Sequence, residues 1–212
     1  MHISEGLLPV AHAVAWSIAA IPFTVRSSHQ LAAEMRKSPQ DRVRIVAASA
    51  FIVTLSALKL PSLTGSCSHP TGIGLGVLLV GPKLMPAIST AVLLFQCLIL
   101  AHGGLSTLGA NVLSMGVAGA AAAWLAGKAF GHGKPGRFAV GLAGSLAPYL
   151  VASMQLALAH PVQNDVIGSF TRFAAILSLT QVPLAISEGI FTMYAARWFA
   201  VAEPKGALHA TS

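Results

Sequence analysis

Seven apolar stretches run through this chain, and between them they hold a single Asp, Glu, Lys or Arg, the residue Glu188. They cover Gly6–Val25, Ile45–Leu58, roughly Thr71–Gly81, Leu84–Ala101, Leu108–Gly127, Phe138–Ala159 and Phe173–Ala196. Soluble domains carry about 25% charged residues; here the figure is 9%, with 55% hydrophobic. Lipid requires every backbone amide to be satisfied within a helix or a closed barrel. The pattern therefore predicts an all-α, polytopic membrane protein with about seven transmembrane helices. A span needs about 20 apolar residues, and the second and third stretches fall short. Either their ends reach into the connecting loop, or the backbone there is broken and lines a cavity. That loop contains His69.

The net charge of +7 has a membrane explanation. With the amino terminus outside and seven alternating spans, the inner connections hold Arg26, Arg36, Lys37, Arg42, Arg44, Lys83, Lys128, Lys134, Arg137, Arg197 and Lys205. Only Lys59 and Arg172 remain outside. Cytoplasmic loops are enriched in Lys and Arg, so the expected orientation is amino terminus out and carboxyl terminus in. The polar stretch Arg26–Arg44 and the Gly-rich, basic stretch Lys128–Arg137 are expected as inner loops. Residues 1–202 are expected to form one membrane domain, and 203–212 a polar cytoplasmic tail. No basic leader precedes the first apolar run, so that span is expected to act as an uncleaved anchor. Ala11, Ala15 and Ala19 form a stripe of small residues, suited to internal packing or to docking another membrane subunit.

Polar residues in such a setting are where chemistry is to be sought. Met1-His2 offers an amine, an amide nitrogen and an imidazole, which together can close two adjacent chelate rings on a divalent transition metal. One further imidazole completes a tetragonal four-nitrogen set, a geometry suited to Ni(II) or Cu(II) and compatible with Co(II). His69 supplies a candidate from the turn-forming segment Gly65-Ser66-Cys67-Ser68-His69-Pro70-Thr71-Gly72. The alternatives are an incidental polar residue at position 2, a His69 that hydrogen-bonds backbone at a broken helix, and a loop-capping His102. Cys67 suits packing beside the site better than ligation, and a Cys67–Cys97 disulfide stays open. Ser66, Ser68, His102 and Asn111 are candidates to receive an imidazole N–H or to line an access path, with His102 also a possible extra ligand.

Glu188 is a functional candidate because an acid at mid-membrane costs about 2.5–3.5 kcal/mol. Counting from Phe173 at about 1.5 Å per residue puts it about 22 Å inward. That depth favours interhelical bonding or coupling to another subunit over contact with the metal. The chain has no G-x-x-x-x-G-K-[ST] phosphate loop and no hydrolase signature, so it is expected to be no enzyme, and any ATP hydrolysis falls to another protein.

Met1-His2-Ile3-Ser4-Glu5-Gly6, the stretch Leu58 to Gly72, and Ala101-His102-Gly103-Gly104-Leu105 through Asn111 resemble the CbiM/NikM family. These are the substrate-capture (S) components of energy-coupling factor (ECF) transporters for cobalt and nickel. The resemblance covers about Met1 to Ala196. It implies a seven-helix membrane domain whose amino terminus enters the substrate cavity, and a metal site of Met1, His2 and His69. It also implies a membrane coupling (T) component, paired ATP-binding subunits and a small accessory membrane subunit, in a bacterial cytoplasmic membrane. The expected substrate is Co(II), with Ni(II) as the alternative since no separate nickel signature stands out. No organic cofactor or nucleic acid is expected. A self-sufficient secondary carrier or channel is the reading from a different class.

Overall fold

A computed structural model describes residues 2–58, 60–61, 67–131 and 133–200, with backbone alone at 60, 61, 67 and 197–200. The described residues form seven helices. They are α1 (Val10–Glu34), α2 (Pro39–Ser56), α3 (Ile73–Val80), α4 (Met85–Leu100), α5 (Leu108–Phe130), α6 (Lys134–Ala159) and α7 (Val166–Ala200). A short antiparallel pair, β1 (Leu60–Pro61) with β2 (Cys67–Ser68), stands between α2 and α3. A 3₁₀ turn, Pro82–Leu84, leads into α4.

Four of these segments are long and apolar enough to cross a membrane: Pro82–Leu100, Leu108–Phe130, Lys134–Ala159 and Val166–Ala196. Val10, Ile18, Leu98, Ile99, Ile167 and Leu179 are exposed on the helix surfaces. Such a belt suits contact with lipid tails, which are as apolar as the side chains they meet.

Two of the expected loops are largely helical. Helix α1 continues through Arg26 to Glu34, and α2 begins at Pro39, so the expected Arg26–Arg44 loop reduces to a four-residue connector, 35–38. No Gly or Pro interrupts 26–34, and its Arg, Gln, Leu, Ala and Glu are good helix formers. The stop comes at Ser38-Pro39. The Ser38 hydroxyl accepts from the Asp41 amide at 3.1 Å, and Pro39 occupies the first helical position, where no N–H is needed. Likewise α5 runs to Phe130 and α6 starts at Lys134, which shortens the Lys128–Arg137 loop to 131–133. The second apolar stretch thus gains its length at the Pro39 end and not in the His69 loop.

The third stretch stays short. Helix α3 has eight residues, about 12 Å of rise, and the segment before it is irregular. It lies against α6 where two glycines meet: a Cβ on Gly74 would come 2.5 Å from the Gly141 Cα. Any larger residue would push α3 off α6. One core gathers Ile52, Ile73, Met85, Ile88, Val92, Met115 and Val140 between α2–α6. A second packs the amino-terminal residues Ile3 and Leu8 against Ala110, Tyr149, Leu156 and Leu177. The Ala11, Ala15 and Ala19 stripe is exposed on α1, so internal packing does not account for it. Cys97 is a free thiol, and the disulfide left open from the sequence is not formed.

Candidate metal centre

The first residues thread into the helix bundle, held there by backbone bonds. The Ile3 amide donates to Asn111 Oδ1 at 2.8 Å, while Asn111 Nδ2 (3.0 Å) and Thr107 Oγ1 (2.8 Å) both donate to the Ile3 carbonyl. A single side-chain amide thus grips both the N–H and the C=O of one residue, as a neighbouring strand would. The Glu5 amide donates to the Gly103 carbonyl at 3.2 Å, and the Leu7 carbonyl lies 2.7 Å from His160 Nε2. Gly104 is required beside this segment, since a Cβ there would meet the Glu5 backbone at 2.7 Å. Hydrogen bonds from the Ser106 side chain, and then from its backbone, hold the Glu5 carboxyl below its ordinary range.

This threading brings His2 to His69 and His102. Ring centroids lie 4.4 Å apart for His2–His69, 4.8 Å for His2–His102 and 4.7 Å for His69–His102. All three rings are buried, and one ligand atom from each falls within 4.8 Å of the others. Nitrogens about 2.1 Å from a common ion stand at most about 4.2 Å apart. Three such nitrogens share the ion at about 3.4–3.6 Å from one another, so the rings stand about 1 Å from a coordinating arrangement.

Each histidine reaches the cluster by a different device. His102 follows a left-handed end of α4: Ala101 takes a left-handed conformation (φ 47°), and the His102 amide donates back to the Gln96 carbonyl at 3.0 Å. A non-glycine residue in that region is strained, which marks the turn as one the surrounding structure imposes. His69 follows β2, where Ser68 Oγ sits 2.8 Å from Thr180 Oγ1 of α7. Its Nδ1 lies 2.8 Å from the Pro70 carbonyl, an acceptor, so Nδ1 carries the proton and Nε2 presents its lone pair. His2 places Nε2 3.4 Å from Met115 Sδ; its Nδ1 is buried without a hydrogen-bond partner among the described residues. Burial, then the neighbouring His69 and His102, push the His2 imidazole well below its ordinary pKa. Neutral imidazole is the form that binds metal.

Behind His69, Glu188 of α7 secures the start of α3. Its carboxylate accepts from the Thr71 amide (2.7 Å), the Thr71 hydroxyl (2.7 Å) and the Gly72 amide (2.8 Å). An acid at these unpaired amides also opposes the positive end of the short helix. The inward count from Phe173 separated Glu188 from the metal loop, yet only Pro70 intervenes between His69 and its first partner. The reason is that the loop dips into the bundle to meet α7.

Among the sequence candidates, His2, His69 and His102 converge, Asn111 grips Ile3, and Ser68 bonds to α7. Met1 and Ser66 lie outside the described residues, as does the tail beyond residue 200. Nothing in the sequence singles out Thr107 or Met115. Thr107 sits at the start of α5 and was readable only as a helix-start residue, while a methionine in an apolar helix gives no signal at all.

Residues 2–206 match the CbiM family, described as the cobalt uptake substrate-specific transmembrane region. The chain belongs to the CbiM family. The CbiM cobalt transport protein of Acetoanaerobium sticklandii is 49% identical over 197 residues, 91% of this chain and 81% of the relative. That of Streptomyces coelicolor is 46% identical over 202 residues, 93% and 87% of the two chains. Cobalt transport protein CbiM 2 of Pelobacter propionicus is 46% identical over 204 residues, 91% and 88%. Crystal structures of a transition metal transporter share the fold at 20% identity. One, truncated, gives a TM-score of 0.78 over 96% of this chain and 100% of that one; the other gives 0.79 over 95% and 93%. With four helices among the described residues long and apolar enough to cross a membrane, and membership of CbiM, a family of transport proteins, this is a multi-pass membrane protein of cobalt uptake.

The grip on Ile3 makes a prediction. Asn111→Ala removes both of its hydrogen bonds to the Ile3 backbone, about 2 kcal/mol at typical values, and should weaken Co(II) binding about 10- to 30-fold. Titration calorimetry on the purified chain checks this; unchanged affinity would mean that amino-terminal docking does not support metal binding.

Proposed function

We propose that this chain is the substrate-binding membrane subunit of an ATP-driven, ECF-type importer and that it captures Co(II). The observation that carries the proposal is the buried meeting of His2, His69 and His102 around one point, with the amino-terminal segment tied in place beside it. In this reading the ion is held by the Met1 amine, the His2 amide and imidazole nitrogens, and His69 Nε2. His102 packs against both rings and closes the pocket. Seven spans carry the site, with the amino terminus outside, in the bacterial cytoplasmic membrane. The third is completed by the irregular segment before α3, which lines the cavity. A coupling component, ATP-binding subunits and a small accessory subunit complete the importer, and the exposed alanine stripe of α1 is a suitable face for one of the membrane partners. Ni(II) suits the same nitrogen set.

A self-sufficient carrier needs an intramembrane acid to couple ion flow. Glu188 is already engaged by three donors, which weighs against that role.

The test is metal analysis of the purified, untagged chain after growth with both cobalt and nickel. Cobalt at about one ion per chain is expected, with affinity reduced by about 100-fold or more in His69→Ala. Full cobalt content in His69→Ala removes the proposed site. Metal uptake by the chain alone in liposomes, without any ATPase, replaces the importer with a carrier.

A further inference from the structure

We propose that Met115 is a positioning residue that fixes the tautomer of His2, so that the imidazole offers its Nδ1 lone pair to the metal. This deepens the proposed function and rests on His2 being a ligand.

The Nε2 atom of His2 lies 3.4 Å from Met115 Sδ, both buried. A thioether has no proton to give and accepts only weakly, so a hydrogen bond here places the imidazole proton on Nε2. A neutral imidazole carries one N–H, which leaves the lone pair on Nδ1. That atom is buried with no hydrogen-bond partner among the described residues, an arrangement unfavourable unless something else occupies it. It is also the nitrogen that chelation requires. Nδ1 can close a six-membered ring with the metal and the His2 amide nitrogen, whereas the Nε2 lone pair points away from its own backbone. The sulfur touches the Nε2 edge of the ring, so it orients the ligand without being one.

Helix α5 is built to deliver this contact. From Val112 to Gly119 it is wound as a π-helix, a geometry frequent at functional sites. Asn111 sits at the edge of that segment and Met115 four residues later, and the two hold adjacent residues, Ile3 by its backbone and His2 by its ring. His69 is set the opposite way, proton on Nδ1 against the Pro70 carbonyl. The pocket thus presents one imidazole in each tautomer, each through the nitrogen its backbone position needs.

The experiment uses the full, untagged chain with ¹⁵N-labelled histidine rings. Two-bond ¹⁵N–¹H correlation spectra are recorded without metal, and Co(II) alone is titrated calorimetrically. In the native protein His2 should show the Nε2–H pattern. Met115→Leu keeps the bulk and removes the acceptor, so His2 should shift toward mixed tautomers and Co(II) binding should weaken about fivefold. Met115→Gln supplies an amide oxygen and should restore both. An Nδ1–H pattern for His2 in the native protein overturns the inference, even if neither variant folds. So does a Met115→Leu protein with unchanged spectrum and affinity. If the tautomer responds to Met115 while the native protein binds no Co(II), the positioning role stands and the ligand reading fails.

Discussion

Replacing His2 with alanine is expected to lower Co(II) and Ni(II) affinity by at least about 100-fold, more than the 10–100-fold typical of residues that only support ligands. The substitution removes the imidazole that stands 4.4 Å from His69 and 4.8 Å from His102, and with it one of the two chelate rings. Adding a residue in front of Met1 should have a comparable effect for a different reason. The amine becomes an amide, and the extra peptide must share a cleft in which Ile3 is already fully buried. Titration calorimetry on both variants, with circular dichroism to confirm that each is folded, tests the pair. Native affinity in either one would show that the ion is not held at the start of the chain.

Glu188→Ala is expected to be the most damaging substitution far from the ligands in sequence. It leaves the Thr71 and Gly72 amides and the Thr71 hydroxyl without their acceptor in a buried position. Orphaned donors cost about 1–3 kcal/mol each, so the three together cost at least about 3 kcal/mol, read as a fall in melting temperature of about 10 °C or more. The loop carrying His69 is then free to leave the cluster, and metal affinity should fall together with stability. Glu188→Gln keeps one carbonyl oxygen and should lie between. Native stability and affinity in Glu188→Ala would show that this carboxylate holds neither α3 nor the histidine loop.

The helical architecture could be read from the sequence because lipid imposes a simple rule: each of the seven apolar stretches contains or overlaps a helix. Their ends could not be read from hydropathy. Helix α1 carries Arg26 and runs on to Glu34, since helix propensity does not stop where apolarity does. The eight-residue α3 was visible only as a shortfall, because its limits depend on Gly72, the carboxylate of Glu188 and the Gly74–Gly141 contact. His2, His69 and His102 could be singled out as polar residues in apolar surroundings. Which of them meet is decided by packing between residues more than thirty positions apart. The partner of Glu188 was hidden for a related reason: depth along a straight helix says nothing about a loop that descends to meet it. Met115 had no signature because its role depends on one ring nitrogen lying beside it.

The tie between Glu188 and Thr71 spans 117 positions of the chain. During synthesis every candidate metal-binding histidine emerges well before the carboxylate that secures the histidine loop. A nascent polypeptide halted ahead of its final helix would therefore own all three imidazoles yet lack the brace behind His69. On the proposed function, such a truncated product is expected to bind Co(II) as weakly as Glu188→Ala, because both lack the acceptor for Thr71 and Gly72.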